Sequence, residues 1–122
     1  MGDPRHDLGL AAERAVATWL ARRGWRVHGR RIRSRAGGEV DILARDPGGV
    51  LVALEVRARR SARAGAPATT VDARRIGRLT RTLAAVAAEH GPGSGLRIDL
   101  VTVEPVEAAP GRWRLRHLRG VG

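Results

Sequence analysis

Apolar residues recur at Leu8, Ala12, Ala15, Val16, Trp19 and Leu20, the spacing of one helical face, and predict a helix from Asp7 to Arg23. Gly24 supplies a natural stop. Beyond it the period shortens. Trp25 to Ile32 reads as a short basic strand. Val40, Ile42 and Ala44 alternate with Glu39, Asp41 and Leu43, a period of two. Val50 to Ala58 is a nearly continuous apolar run carrying Glu55 and Arg57, as expected of a central strand. Arg59 to Thr69 reads as a mobile basic loop. Ile76, Leu79, Leu83, Val86 and Ala87 then mark the inward face of a second helix, from about Val71 to Glu89, which the Gly91–Gly95 loop ends. Leu96 to Val103 is another strand, and Trp113 to Leu118 a weaker last one.

The predicted class is α/β, with a mixed central sheet flanked by helices. The second and third strands must form a hairpin, because only a few residues join them. The fourth follows a helical crossover and should lie parallel to a neighbour. A chain of 122 residues with no internal repeat or long linker is expected to form a single domain over 1–122.

The hairpin turn decides which side chains meet. In Asp46-Pro47-Gly48-Gly49, Pro47 suits the first corner of a type I turn and Gly49 the left-handed position after it. That loop pairs Asp46 with Val50, and counting back sets Asp41 opposite Glu55 and Glu39 opposite Arg57. Directly opposed residues share a face. Three carboxylates and one guanidinium are thus gathered on one side of two central strands. Half-buried carboxylates repel one another and lose hydration, at several kcal/mol per uncompensated ion. Two remedies stay open. Glu39 pairs with Arg57 and the Asp41–Glu55 edge is solvated, or a hard divalent cation takes the carboxylates and accepts phosphate oxygens as further ligands.

Composition narrows the chemistry. Without Cys, disulfides, thiolate metal sites and cysteine nucleophiles are excluded. No apolar run approaches the ~20 residues of a membrane span, and the start, Met1-Gly-Asp-Pro, lacks the layout of a secretion signal, so a cytoplasmic, membrane-free protein is expected. The net charge is +11 and every basic residue is Arg. A GC-rich genome accounts for Arg over Lys but not for the excess of positive charge, which suits a polyanion, nucleic acid above all. With Trp the only aromatic type, phosphate contact is the expected mode rather than base stacking. Arg30, Arg31, Arg33 and Arg35 precede the acidic strand, while Arg59 and Arg60 follow the next one at the same end of the hairpin. Arg74 and Arg75, with Arg78 and Arg81, make the second helix basic. His6, His28, His90 and His117 show no zinc spacing. The serines lack a triad pattern, and Gly91–Gly95 leads into a strand, unlike a P-loop. Asp99 is expected to pair with Arg74 or Arg75.

Gly38-Glu-Val-Asp-Ile42, with thirteen residues separating Asp41 from the following Glu55-Val-Arg57, resembles the PD-(D/E)xK nuclease signature. More closely, the chain resembles the YraN-like family of small uncharacterised bacterial proteins. Gly9 with Glu13, the basic approach Arg30–Arg35, Leu54-Glu-Val-Arg57, the Val71–Leu79 helix start and Arg97-Ile-Asp99 carry that resemblance over most of the chain. It implies a restriction-endonuclease-like αβββαβ core, similar to archaeal Holliday-junction resolvases. It also implies metal-dependent hydrolysis of phosphodiester bonds in structured or branched DNA, or RNA. By the resemblance, Asp41 and Glu55 ligate Mg²⁺ or Mn²⁺ beside the Val56 carbonyl, and Glu13 joins them directly or through water. Glu39 lies behind that metal or on a second one. The metal would acidify a bound water and steady charge on the scissile phosphate. Arg57 replaces the family's Lys, and an arginine donates but does not give up its proton at neutral pH. It can orient water or steady the phosphate but not act as general base. The rival reading is a catalytically inactive nucleic-acid-binding accessory protein with the same fold. Many nucleases of that fold pair, so the resemblance admits a homodimer.

If about five phosphates of duplex DNA are engaged, log affinity against log salt should slope by roughly −4.5. A salt titration of binding measures it, and a slope near zero would remove the electrostatic argument.

Overall fold

The computed structural model describes residues 4–35, 37–60, 72–91, 93 and 95–121. The elements run α1 (Pro4–Arg22), β1 (Arg26–Arg33), β2 (Glu39–Arg45), β3 (Leu51–Ala58), α2 (Ala73–His90), β4 (Leu96–Pro105) and β5 (Trp113–Leu118). The five strands form one sheet in the order β1-β2-β3-β4-β5. Only β3 and β4 run parallel; the other neighbours are antiparallel. The α/β class, the mixed sheet and the parallel crossover expected from the sequence are all present, consistent with a restriction-endonuclease-like core.

Burial explains the patterning. Ala12, Val16 and Leu20 of α1 pack with Trp25, Ile42, Ala44, Val52, Leu54, Val101 and Val103 on one face of the sheet. Leu79, Leu83 and Val86 of α2 cover Leu43, Leu51, Ala53 and Ile98 on the other. Leu51 through Leu54 are therefore buried on both faces, which is why β3 reads as an unbroken apolar run. α1 starts at Pro4, before the expected Asp7, as a residue with fixed φ and no N–H suits a first helical turn. α2 starts at Ala73 because Asp72 caps it, its Oδ1 accepting the Arg75 N–H at 2.8 Å. Beyond Arg60, the expected basic loop to Thr69 lies outside the described residues, as does Val71. Among the described residues, no helix is long and apolar enough to cross a membrane.

The hairpin turn has the anticipated form. The Gly49 N–H donates to the Asp46 carbonyl at 3.0 Å, and the Asp46 N–H to the Val50 carbonyl at 3.0 Å. Gly49 has a φ of 91°, a conformation that costs glycine little. Asp46 Oδ1 also accepts the N–H groups of Gly48 and Val50, at 2.9 and 3.0 Å. From this turn the ladder runs Arg45–Leu51, Ala44–Val52, Leu43–Ala53 and Ile42–Leu54.

Asp99 departs from expectation. It pairs not with Arg74 or Arg75 but with Arg97 two residues away, whose Nε and Nη2 reach its two oxygens at 2.8 and 3.1 Å. His117 Nε2 lies 2.8 Å from Oδ2, and the Gly120 N–H donates to Oδ1 at 3.0 Å. Alternation on β4 sends Asp99 to the α1 face, beside Val101 and away from α2. Arg97 also donates to Asp46 at 2.9 Å, tying the hairpin turn to β4. Trp25 and Trp19 pack against the His117 ring at 5.6 and 5.7 Å.

Burial alone would raise the Asp99 carboxyl, but His117, Arg97 and the Gly120 N–H outweigh it and hold it at about 2. Its ordinary value is near 4, so the fold gains from its charge above that pH and loses the gain as pH falls toward 2. Asp99→Asn should cost about 3 kcal/mol at pH 7 and flatten the stability profile between pH 4 and 2. Denaturant melts followed by circular dichroism across that range read both effects.

Candidate active site

Strands β2 and β3 are paired as far as Ile42 and Leu54. One residue further, Asp41 Oδ2 accepts the Val56 N–H at 2.9 Å. A side chain thus binds backbone just past the end of the ladder, holding Asp41 beside Glu55. The residue whose carbonyl the resemblance assigns to the metal is the one whose N–H anchors Asp41.

Burial pushes the Asp41 carboxyl up to about 6, the Glu55 charge adds to the rise, and the Val56 hydrogen bond opposes it. Glu13 contributes from α1 in the same direction. Its own carboxyl is raised, first by burial, with Arg31 and Arg30 opposing and Glu39 adding. Glu13 is 9% exposed, and its Oε1 is buried without a hydrogen-bond partner among the described residues. A buried carboxylate oxygen left unpaired on the inward stripe of a helix, one residue from Ala12, is costly.

Glu55 has found a cation. Arg75 donates through Nη2 and Nε to Glu55 Oε2 at 2.8 and 3.2 Å. Both bonds fall on one oxygen, leaving Oε1 outside the pair. The crossover makes this contact: α2 begins near the level where β3 ends, so its first turn faces the last residues of the strand. Arg57 has neither a hydrogen bond nor an ion pair among the described residues, although it is only half exposed. The anticipated Glu39–Arg57 bridge is absent. Glu39 instead meets Arg31 Nε at 3.4 Å and Arg33 Nε at 3.2 Å across the β1–β2 ladder. Arg31 is the single non-glycine with positive φ, 54°, among the described residues.

The donors, all oxygens, are of the type that a hard divalent cation takes. Among the described residues, however, no group of three or more acidic or histidine side chains is already drawn together as a metal cage. Glu55 is shared with Arg75, so a cation here would compete with that guanidinium.

The arginines assigned to phosphate divide into committed and free. Arg59 donates to the buried Glu104 at 2.8 Å and is a strut between β3 and β4. Arg35 reaches Glu89 at only 3.9 Å with both side chains in solvent. Arg30, Arg60 and Arg74 are exposed without an ion pair among the described residues. Sequence reasoning missed the Arg75–Glu55 pair, whose signal was available: a helix crossing back from β3 must place its first turn beside that strand's end. It also missed the contact of the His28 and His90 rings, 4.9 Å apart, which no spacing along the chain announces.

The mixed α/β sheet is consistent with a restriction-endonuclease-like core, and the relatives say which family bears it. The sequence profile of uncharacterised protein family UPF0102 matches residues 12–103, and the chain belongs to that family, the YraN-like one its motifs resemble. It is 40% identical to a UPF0102 protein of Burkholderia lata over 84% of this chain and 71% of that protein. It is 42% identical to one from Bordetella parapertussis, over 84% of this chain and 60% of that longer protein. With one from Symbiobacterium thermophilum the identity is also 42%, over 89% and 90% of the two chains.

Because Asp41 holds its proton in the fold but not in the unfolded chain between about pH 4 and 6, stability should fall as pH rises through that window. In the presence of EDTA, Asp41→Asn should therefore be more stable than the parent at pH 8, by about 2 kcal/mol after allowance for solvent screening. The Asn oxygen can still accept the Val56 N–H. Urea melts of both proteins at pH 4 and 8 test the sign.

Proposed function

We propose that this chain is a divalent-cation-dependent nuclease that hydrolyses phosphodiester bonds in structured or branched DNA. The observation that carries the reading is Asp41, held by the Val56 N–H, close enough to Glu55 and Glu13 to feel both charges, with a Glu13 oxygen buried and unpartnered among the described residues. Asp41, Glu55 and Glu13 would hold Mg²⁺ or Mn²⁺, with the Val56 carbonyl beside them. When bound, the cation supplies an acidified water and charge stabilisation at the phosphate. The chain's own residues supply the rest. The Val56 N–H fixes the rotamer of Asp41, so the carboxylate is positioned before any ligand arrives. Arg57, without an acidic partner among the described residues, is available to donate to a phosphate oxygen and to stabilise negative charge gathering there. It remains charged at neutral pH and so does not serve as the base. Glu39 pairs with Arg31 and Arg33 beside the approach to the acid pair.

One observation favours the rival reading, an accessory protein that binds nucleic acid without cutting it. Arg75 neutralises Glu55 from within the chain, which removes part of the need for a cation.

The two readings separate in one series. Calorimetry should detect Mn²⁺ binding to the parent and none to Asp41→Ala. Single-turnover assays with Mg²⁺ or Mn²⁺ should show cleavage of branched, flapped or single-stranded DNA, lost in Asp41→Ala and Glu55→Ala and slowed about 10- to 100-fold in Glu13→Gln. Arg57→Lys should retain cleavage and Arg57→Ala lose it. No cutting by the parent or by either Arg57 variant would sink the nuclease assignment and leave the accessory one.

A further inference from the structure

Beside the acidic strands, the Gly37–Gly38 segment leading into β2 and the middle of α2 enclose a cavity of about 290 Å³ lined by Gly37, Gly38, Arg78, Arg81 and Thr82. Three features make it a site for an anion. The first is charge without compensation: neither Arg78 nor Arg81 has a hydrogen-bond or ion-pair partner for its guanidinium among the described residues, and both are exposed. From Ala73 to His90 the only acidic residue is Glu89, so neither arginine has a carboxylate three or four positions away. Arg59, Arg75, Arg97 and Arg114, by contrast, all have carboxylate partners.

The second feature is spacing. Arg78 and Arg81 are three residues apart, neighbours on one helix face. Both side chains border the same cavity. The third is the glycine wall. Gly38 has a φ of 89°, and a Cβ there would strike the Thr82 hydroxyl, so the loop backbone lies close against α2. Thr82 is itself buried, and its hydroxyl donates to the Arg78 carbonyl at 2.9 Å, so its proton is committed to the helix. The result is a cavity with side-chain-free backbone on one side and two uncommitted guanidiniums on the other. Two guanidinium forks converging on one space match the tetrahedral oxygens of a phosphate.

We propose that this cavity binds a single phosphodiester phosphate of the nucleic-acid backbone, next to the one at Asp41 and Glu55 rather than the same one. The proposal deepens the nuclease reading and rests on it for the identity of the backbone. Gly38 is three residues from Asp41, a reach of at most about 10 Å, so a strand seated at the cavity continues directly to the acid pair. Its role is to fix where along the strand the acid pair falls.

The test is the salt dependence of binding to a short DNA duplex without divalent cations. Arg78→Gln with Arg81→Gln keeps helix-forming residues at exposed positions. The double variant should flatten the slope of log affinity against log salt by about 0.9, the share of one phosphate. Each single variant should give most of that change, because both arginines hold the same group. A control pair of equal charge loss, Arg22→Gln with Arg112→Gln at the end of α1 and in the β4–β5 turn, should change the slope less. An equal change in the control, or a double-variant effect of about 1.8 that equals the sum of the two single effects, would overturn the proposal. Cleavage assays on the same proteins keep the two readings apart. A slope effect in a parent that cuts nothing sinks the nuclease reading alone, and cleavage with no slope effect sinks the cavity alone.

Discussion

The carboxyl of Asp41 taking the Val56 N–H is the contact around which the acidic site is arranged. It occurs just past the end of the paired β2–β3 register, where a backbone carbonyl of β2 would otherwise meet β3. The sheet gives up one ladder bond's worth of regularity and gains a carboxylate held between two strands. The cost is visible in the charge, because burial and the nearby Glu55 make that carboxylate reluctant to ionise. A fold that keeps such a group holds a poorly compensated acid pair at its centre, and Glu13, Arg75 and Arg57 all take their significance from it.

Around this centre the arginines have distinct duties that a net charge of +11 conceals. Arg97 and Arg59 are internal struts: one joins Asp46 to Asp99, the other reaches Glu104 from the end of β3. Arg31 and Arg33 face Glu39, and Arg75 faces Glu55. Among the arginines without a carboxylate partner in the described residues, Arg57 lies on β3 two residues from Glu55, and Arg78 and Arg81 line the neighbouring cavity. Excess charge on a protein attracts polyanions from a distance, but only guanidiniums without internal carboxylates are free to meet them at contact.

Much of this was legible in order along the chain. Local rules govern the hairpin: a proline corner and a glycine able to take positive φ dictate a loop length, loop length dictates register, and register decides parity. Asp41 and Glu55 were therefore placed together before any coordinates. The double-sided burial of β3 was equally plain from its unbroken apolar run. Partner choice was not legible. Glu39 and Arg57 were opposed by counting, yet Glu39 turned to β1, because Arg31 and Arg33 approach from the neighbouring strand. Asp99 was matched to α2, yet it faces α1 and finds Arg97 and His117.

The amino-acid sequence by itself determined the elements, the hairpin register and the family, because turn chemistry and hydrophobic period act over a few neighbouring residues. The tertiary structure alone decided which guanidinium meets which carboxylate and which remain unpaired. An arginine reaches several ångströms in many rotamers, so its partner is chosen by the elements packed beside it, and spacing along the chain does not encode that choice.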